Sequence, residues 1–450
     1  MNQDDFNSYK QAIEFLLQAV DYEKLTNYTY DASNFNLKRM EKLLSAVGNP
    51  HKRGTYVHIT GTKGKGSTAI MIASVLKESG LKTGLFTSPH LVYLGERMKV
   101  NDEMISQEML IQLINELKPY IERERFREIT HSPTFFDTIT AIALTYFERK
   151  KVDISVLEVG MGGRLDSTNV VSPQICIITP IGYDHTDTLG HTLDRIAYEK
   201  SGIIKEGIPV VSSTQEHEAL SIISKTCKEK KARLRLVGRD ILITDIKKTR
   251  KDGSYGTECM ISTWRNKYKN VFLPLIGQHQ VENCATAIGA LETLSENGVI
   301  KIDNEAVINA LAKVKCPARI EVVSKKPLII LDTAHTVSSM KFLRESIKEN
   351  FSFKRLICVI GLSADKDIEG VLREITCVSD ELIFTRTNNP REAEPKQLAL
   401  IAKRSYSKEP IVIENIDEAL REAKRIADKD DLICVTGSFY LAARVKETLN

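Results

Sequence analysis

The chain has 450 residues, 42% hydrophobic and 27% charged, a balance typical of folded globular proteins and not of disordered or fibrous ones. This length predicts two or three domains, and we take two as the expectation. The net charge of +4 is too small to favour nucleic acid as a partner. Because no apolar run reaches the roughly 18 residues of a bilayer span, and the N-terminus has no basic and apolar leader, we expect a cytoplasmic protein without membrane contacts.

Short runs rich in valine and isoleucine alternate with amphipathic segments of helical length in the first half of the chain. This alternation is typical of parallel sheets covered by helices on both faces. The segment from about Ala232 to Leu275 has a shorter period and contains KDGSYGT, a turn signal between two strand-like runs. We therefore predict a small antiparallel addition there.

The strongest local pattern follows the first predicted strand, which ends at Thr60. The next residues, GTKGKGS, place glycines whose N–H groups can turn toward phosphate oxygens ahead of a helix that starts near Ser67. Lys65 is placed to reach the β- and γ-phosphates, and the Ser67 hydroxyl to ligate Mg²⁺. The spacing departs from GxxxxGK[ST], because Gly66 separates Lys65 from Ser67. The alternative is a glycine-rich turn with solvated lysines.

Polar residues follow three further predicted strands. Because the carboxyl ends of parallel strands converge on one crevice, Ser88, Glu158 and His185 are expected beside the phosphate loop, as Mg²⁺ ligands completed by nucleotide oxygens and water. Taken singly, Glu158 could cap a helix and His185 could be a loop histidine. Lys200 follows His185 by about fifteen residues. From its spacing alone, Lys200 is predicted to be a surface lysine paired with Glu199.

Pro317 cannot continue the helix predicted just before it, so a domain boundary is expected there. We place the first domain at residues 1–314, a linker at 315–319 and the second domain at 320–450. Beyond the linker, strand-like runs separated by helices predict an independent doubly wound unit. The expected fold class is α/β, with a P-loop-type doubly wound parallel sheet domain followed by a smaller Rossmann-like α/β domain.

The eight cysteines have no C-x-x-C spacing, and several lie in apolar strand-like runs. We predict buried, reduced thiols and neither a disulfide framework nor a zinc site. They are Cys176, Cys227, Cys259, Cys284, Cys316, Cys358, Cys377 and Cys434.

The motifs of the chain resemble those of folylpolyglutamate synthases and bifunctional dihydrofolate synthases, in the Mur ligase superfamily. The resemblance extends from Thr60 to Tyr440 and rests on TGTKGKGS, TSPHL, LEVGMGGRLDSTN, DHTDTLG with EKSGI, GQHQVEN, PARIE, DTAH and TGSFY, in the family's order. It implies an ATP-dependent ligase that adds L-glutamate to a folate or pteroate carboxylate through an acyl phosphate. The implied partners are these small molecules, and we expect a monomer.

The resemblance also implies roles for individual residues. The implied ATP-binding residues are Lys63, Gly64, Lys65, Gly66, Ser67, Asn283, Arg319 and Asp332. The implied Mg²⁺ ligands are Ser67, Ser88, Glu158, His185 and Lys200, the last as a carbamylated lysine. The implied catalytic residues are Lys65, Lys200 and His335, and the implied glutamate-binding residues are His335 and Ser438.

The implied pterin-side residues lie in two segments: Thr134, Phe135, Phe136 and Asp137 in the first, and Leu165, Asp166 and Ser167 in the second. Either phenylalanine ring could stack on a flat pterin. The alternative for this pair is two core aromatics at the start of a helix.

Two departures from the family pattern bear on substrate preference. The family usually has DGAHN where this chain has DTAHT, so Thr333 and Thr336 replace a glycine and an asparagine, and Asp137 stands where glutamate is usual. Threonine at 336 can still donate and accept a hydrogen bond. A different class stays open at this point: a P-loop nucleotide switch or transport ATPase without ligase chemistry, which predicts a single sheet domain.

Overall fold

The computed structural model describes residues 5–22, 31, 34–127, 132–184, 186–213, 215–251, 253–389 and 391–449. Up to residue 311 the helices are α1 (Tyr9–Leu17), α2 (Leu37–Ala46), α3 (Lys65–Glu78), α4 (Gln107–Arg127), α5 (Phe135–Arg149), α6 (Thr186–Leu189), α7 (Leu193–Ser201), α8 (His217–Glu229), α9 (Gln278–Glu296) and α10 (Asn304–Leu311). The strands of this part are β1 (Tyr56–Thr60), β2 (Thr83–Phe86), β3 (Met98–Val100), β4 (Glu103–Met104), β5 (Ile154–Glu158), β6 (Ile175–Ile178), β7 (Val210–Ser212), β8 (Leu234–Leu236), β9 (Leu242–Lys251), β10 (Ser254–Ser262) and β11 (Lys267–Leu273).

The first sheet has eight strands in the order β4-β3-β2-β5-β1-β6-β7-β8. It is parallel from β2 to β8, and the edge strands β3 and β4 run antiparallel to their neighbours. The central strands β1 and β5 are buried at every residue, because α3, α9 and α10 cover one face and α2, α4 and α5 the other. Continuous apolar strands of this kind are the pattern from which a parallel sheet was predicted.

The predicted antiparallel addition is smaller than expected. Strands β9 to β11 form a three-stranded antiparallel sheet in the order β11-β10-β9. The prediction that the addition starts near Ala232 is wrong, because β8 pairs in parallel with β7 and extends the first sheet. The buried side chains Cys259, Ile261 and Tyr268 pack this small sheet against the core that contains α9.

The rest of the chain forms a second α/β unit. Its helices are α11 (Val337–Asn350), α12 (Ile368–Thr376), α13 (Pro395–Ala402), α14 (Ile416–Ile426) and α15 (Phe439–Leu449). Its strands are β12 (Glu321–Lys325), β13 (Leu328–Leu331), β14 (Leu356–Ile360), β15 (Glu381–Phe384), β16 (Ile411–Val412) and β17 (Leu432–Thr436). The sheet order is β12-β13-β17-β14-β15-β16, with only β12 antiparallel.

The α/β fold class predicted from the sequence is confirmed, since a large parallel sheet precedes a smaller one with helices on both faces. Pro317 lies between α10 and β12, where the linker was predicted. The particular limits at 314, 315, 319 and 320 stay predictions.

The prediction that the cysteine side chains are buried is confirmed with one exception. All eight thiols are free, and seven are buried. Cys377 is exposed, because it follows the last turn of α12. Within the described ranges, no group of three His, Cys, Asp or Glu side chains is arranged to hold a metal ion, and no helix is long and apolar enough to cross a membrane.

Candidate active site

Four neighbouring strands of the first sheet, β2, β5, β1 and β6, end at one edge. The phosphate loop follows β1, Ser88 follows β2, and Glu158 is the last residue of β5. The backbone N–H of Ser88 donates to Oε2 of Glu158 at 3.0 Å. The structure thus brings both residues to the phosphate loop. His185, the fourth predicted side-chain ligand, lies outside the described residues.

Two polar side chains lie next to glycines of the phosphate loop, and Gly64 makes room for one of them. Gly64 has φ of +87°, and a Cβ there would lie 2.2 Å from Oδ1 of Asn283 on α9. A Cβ on Gly66 would lie 3.4 Å from Oε2 of Glu158. The Glu158 carboxylate therefore lies beside the first turn of α3, next to the extra glycine that breaks the usual phosphate-loop spacing. This helix begins at Lys65, two residues earlier than predicted.

Glu158 has the surroundings of a cation ligand. It is buried, and burial raises the pKa of its carboxyl group, while Lys65 and the N–H of Ser88 oppose that shift. A buried carboxylate beside a phosphate loop is stabilised in its charged form when a cation binds there. Ser67, in the first turn of α3, is also buried. These residues fit a magnesium ion, and their role as ligands stays a prediction.

Lys200 does not lie on the surface. Its side chain is buried, and its Nζ donates to the carbonyl oxygen of Gly61 in the phosphate loop at 2.8 Å. Glu199 pairs instead with Arg164 at 2.9 Å, so the expectation of a Lys200–Glu199 surface pair is wrong. Burial, together with the positive charge of Lys65, lowers the pKa of Lys200 to about 7. An amine with this pKa is neutral in a substantial fraction of molecules near pH 7.

Lys65 bends back over the same loop. Its Nζ donates to the carbonyl oxygen of Gly61 at 3.1 Å, so two lysines share one acceptor. The amine groups of Lys65 and Lys200 therefore meet at the edge where β1 ends.

The predicted pterin-side residues form a buried network with one another. Thr134 caps α5, and its N–H donates to Oδ2 of Asp137 at 2.9 Å. Ser167 donates to Oδ1 of Asp137 at 2.6 Å, and Arg39 from α2 forms an ion pair with the same carboxylate at 2.7 Å. The polar atoms of this network hold α2, α5 and the segment after β5 together.

The two adjacent phenylalanines differ in exposure. Phe135 is 3% exposed and belongs to the core, with the guanidinium of Arg97 at 5.5 Å from its ring. Phe136 is half-buried and lies against the loop after β5, where a Cβ on Gly160 would be 2.5 Å from its ring. Of the two rings, only Phe136 has a partly open face. The core alternative therefore holds for Phe135.

Asp166 supports the loop after β5. Its carboxylate accepts hydrogen bonds from the N–H groups of Gly160 and Met161, both at 3.1 Å, and from Thr168. Burial raises its pKa to about 6, although these hydrogen bonds oppose the shift. The neighbouring Leu165 is half-buried. Asp166 thus holds the backbone of this loop in place.

The carboxyl edge of the second sheet carries the other predicted residues. Asp332 follows β13, and its carboxylate accepts from the N–H of Ile320 at 3.0 Å and of Ala334 at 2.7 Å. His335 places Nδ1 2.7 Å from the carbonyl oxygen of Thr333. Ser438 follows the adjacent strand β17, and its hydroxyl accepts from the N–H of Tyr440 at 3.1 Å.

The two edges face each other at the junction of the two domains, which we call the cleft, and side chains from the two sides touch there. Nζ of Lys63, on the phosphate loop, donates to the Ser338 hydroxyl at the start of α11 at 2.7 Å. His279, in the first turn of α9, packs edge-on against Phe342 of α11 with the ring centres 4.2 Å apart. Burial lowers the pKa of His279 to about 4, and the positive charges of Arg319 and Lys63 add to that shift. The positive charges of Lys63 and Arg319 thus lie close to His279 at this cleft.

Three residues of the site region escaped prediction from the sequence. Arg39 lies on the buried stripe of α2, Arg97 is buried with Nε 2.8 Å from Nδ1 of His90, and His279 joins the two domains. The sequence did contain a signal for Arg39. It is a charged residue four positions before the buried Leu43, on a helix face that is otherwise apolar.

Comparison with known proteins agrees with this architecture. Residues 59–291 match the Mur ligase middle domain and residues 318–439 the Mur ligase glutamate ligase domain. The chain is 33% identical to the dihydrofolate synthase/folylpolyglutamate synthase of Bacillus subtilis, covering 95% of this chain and 99% of that protein.

Two solved structures are similar in fold. Mycobacterium tuberculosis folylpolyglutamate synthase complexed with ADP has a TM-score of 0.89 at 27% identity, over 98% of both chains. An FPGS–AMPPCP–folate complex has a TM-score of 0.82 at 30% identity, over 98% of this chain and 99% of that one.

A parallel-sheet domain with a phosphate loop, facing a second α/β domain across a cleft, defines an ATP-dependent ligase of the Mur type. Within that class, the chain belongs to the folylpolyglutamate synthase/dihydrofolate synthase family. The family expected from the sequence motifs is confirmed. The alternative of a single-sheet nucleotide switch is wrong, because the second sheet forms a separate unit that matches a glutamate ligase domain.

Proposed function

We propose that this ligase joins the amine of L-glutamate to a carboxylate of a folate or a pteroate, with ATP consumed to activate the carboxylate. The observation that carries the proposal is the cleft itself: the phosphate loop and the DTAH loop lie at facing sheet edges, and Lys63 already reaches Ser338 on the far side. A ligase needs its nucleotide and its amine donor on opposite sides of one activated carbonyl. The names of the similar proteins support the choice of substrates.

In the proposed reaction, oxygen of the substrate carboxylate attacks the γ-phosphorus of ATP, the bond to ADP breaks, and an acyl phosphate forms. The neutral amine of glutamate then attacks the carbonyl carbon, the amine loses a proton, and phosphate leaves as the amide forms. Phosphoryl transfer depends mainly on positioning and charge neutralisation, which Lys65 and the N–H groups of the loop supply. Closure of the cleft would keep water from the acyl phosphate.

The nucleotide side of the proposed site contains Lys63, Gly64, Lys65, Gly66, Ser67, Asn283, Arg319 and Asp332. The burial of Asn283 against Gly64 supports its placement beside the phosphates. Asp332 would act indirectly, because main-chain N–H groups already occupy both of its oxygens.

We propose Ser67, Ser88, Glu158, His185 and a modified Lys200 as the residues that hold magnesium. A magnesium ion bound there would offset negative charge on the transferred phosphoryl group. The buried Glu158 carboxylate supports this assignment, because it gains a cationic partner.

Lys200 is proposed to be carbamylated. Carbamate formation joins the neutral amine to carbon dioxide and releases one proton, so it requires an amine that is not protonated. The pKa of about 7, caused first by burial, supports this requirement. The modification would replace an ammonium group with an anion next to the phosphate loop.

On the acceptor side, we propose that the folate or pteroate lies against the partly open face of Phe136, beside the loop supported by Asp166, with Thr134, Phe135, Asp137, Leu165 and Ser167 forming its wall. His335 and Ser438 are proposed to receive glutamate. Hydrogen bonding of Nδ1 to the Thr333 carbonyl leaves Nε2 of His335 as the free nitrogen. We also propose that the protein is a cytoplasmic monomer divided at residues 315–319.

The decisive experiment is a substrate panel. The full chain is incubated with MgATP and glutamate plus dihydropteroate, tetrahydrofolate or methylenetetrahydrofolate, and ADP release and amide product are measured. We expect ADP release that requires both glutamate and one of these acceptors. ADP release that is independent of glutamate and yields no amide would overturn the proposed function.

Replacing Lys200 with alanine is expected to reduce ligation on the order of 10²-fold, as for loss of one preorganised charge. Acetate or formate should partly restore the rate by occupying the vacated anionic position. The matched control is Lys205→Ala, which removes another largely buried lysine whose Nζ donates to a carbonyl oxygen, that of Asn169 at 3.0 Å. An unmodified Lys200 pointing away from the metal in a nucleotide-bound crystal would contradict the carbamate.

Replacing His335 with alanine should raise the KM for glutamate about tenfold, the size expected for one hydrogen bond to a charged ligand. The KM for ATP should change little, because the binding lost is to the amino acid in both ground and transition states. His217→Ala, on the exposed start of α8, serves as the control. An unchanged KM for glutamate with a large rise for ATP would move His335 to the nucleotide site.

A further inference from the structure

Thr333 contacts both Arg319 and His335. The proposed function assigns Arg319 to the nucleotide and His335 to glutamate. It is buried and follows Asp332 at the end of β13, where the family pattern has glycine. Its hydroxyl accepts a hydrogen bond from Nη1 of Arg319. Its carbonyl oxygen lies 2.7 Å from Nδ1 of His335. A glycine at this position offers the carbonyl but not the hydroxyl.

Arg319 is an exposed side chain whose position is nevertheless well defined. Its flanking residues Ala318 and Ile320 have φ of +52° and +49°, a region that a β-branched residue rarely adopts. The Asp332 carboxylate holds this backbone through the N–H of Ile320. The guanidinium lies 5.2 Å from the ring centre of Phe439. Asp332 thus fixes the backbone at Arg319, while Thr333 and Phe439 hold its side chain.

Such anchoring matters because a free arginine side chain loses rotamer entropy when a ligand immobilises it. An arginine already held by a hydroxyl and an aromatic face loses less of this freedom on binding a phosphate. The Thr333 hydroxyl accepts from one end of the guanidinium group. The other N–H groups lie in one plane, a geometry that matches phosphate oxygens.

We propose that Thr333 is a positioning residue that joins the nucleotide and amino-acid sides of the cleft. Its hydroxyl orients Arg319 toward ATP, and its carbonyl fixes the ring of His335. The inference rests on the proposed function, which places Arg319 at the nucleotide. The bond from Arg319 to a hydroxyl can form only in a chain with threonine at this position, because the usual glycine has no hydroxyl.

Substitutions can separate the role of the Thr333 hydroxyl from the role of its carbonyl. Thr333→Val keeps the shape of the side chain and the carbonyl but removes the acceptor for Arg319. Thr333→Ser keeps the hydroxyl. The matched control is Thr376→Val, which removes another buried hydroxyl, hydrogen-bonded to Ser405 at 3.0 Å at the far end of α12.

The test is calorimetric binding of AMPPCP with Mg²⁺ to the full chain, which does not require ligation. We expect about tenfold weaker binding in Thr333→Val, the size of one hydrogen bond to a charged group, and binding within about twofold of the wild type in Thr333→Ser. In an Arg319→Met background, Thr333→Val should cause no further loss. The KM for glutamate should be unchanged in Thr333→Val, because the carbonyl remains.

Several results would overturn the inference. One is wild-type affinity for AMPPCP in Thr333→Val while Arg319→Met binds it weakly. Another is an equal loss of affinity in Thr376→Val. The third is an additive loss of affinity in the variant that combines Thr333→Val with Arg319→Met. If Thr333→Val does not fold, Thr333→Gly tests the same hydroxyl with the same expectation. Unchanged affinity in Arg319→Met itself would instead contradict the proposed nucleotide role of Arg319, so the two failures are distinguishable.

Discussion

Replacing Lys65 with alanine is expected to slow ligation about 10²–10³-fold at saturating ATP, while the chain stays folded. The proposed role of the ammonium group is to offer positive charge from the first turn of α3 to the β- and γ-phosphates. In the structure its Nζ donates to main-chain oxygens of the loop, of which Gly61 is at 3.1 Å, and Lys200 contacts the same oxygen. Losing this bond leaves Gly61 satisfied, so the folded state loses little. The measurement is the kcat of glutamate-dependent ADP release.

The other end of the same helix provides the control. Lys77 lies in the last turn of α3 and pairs with Asp102 at 2.6 Å on the surface. Exposed ion pairs contribute little to stability, so Lys77→Ala should be active and stable. Near-normal turnover of Lys65→Ala would show that this lysine is not a catalytic group. It would favour the alternative of a solvated loop lysine.

The nucleotide edge could be predicted from the sequence because its information is local. One apolar strand, a glycine-rich turn and a helix occur in sequence at Thr60 to Ser67, and the rule that parallel strands end together brings Ser88 and Glu158 to the same edge. Lys200 could not be predicted in this way. Its burial depends on a contact with Gly61, which is 139 residues away in the chain.

The arrangement of the predicted pterin-side residues could be predicted only in part, because it too depends on contacts between residues far apart in the chain. The motif around Thr134 indicates a helix start, and the capping box with Asp137 is found as such a pattern suggests. Which of Phe135 and Phe136 faces the core depends on how α5 packs, which no local pattern sets. The partner of the Asp137 carboxylate comes from α2, 98 residues earlier.

The second domain shows a third limit. Its strands were predictable from apolar runs, yet the role of Thr333 depends on Arg319 in the preceding linker and on Phe439 after the last strand. The motif around Asp332 indicates a loop at the sheet edge but not that its carboxylate binds the linker backbone.

The buried ion pair of Arg39 and Asp137 carries the largest expected effect on stability. The two side chains are 8% and 4% exposed, and their closest atoms are 2.7 Å apart. Arg39 also donates to the carbonyl oxygen of Asn34 at 3.0 Å, while Asp137 accepts from Thr134 and Ser167. Removing one charge from such a pair leaves the other buried without its partner, which costs more than the pair contributes as a whole.

We therefore expect Asp137→Ala to lower the free energy of unfolding by about 3–5 kcal/mol, because the Arg39 guanidinium stays buried without its carboxylate and the Thr134 N–H at the start of α5 loses its acceptor. The measurement is urea denaturation of the full chain, following the transition that includes the first domain. The control is Glu148→Ala, which removes the partner of Arg53 in an exposed pair on the same helix and should cost less than about 1 kcal/mol. Substituting methionine for Arg39 in the Asp137→Ala background should recover part of the loss, since the unpaired charge is then absent. Equal effects of Asp137→Ala and Glu148→Ala would show that the buried pair does not hold α2 against α5.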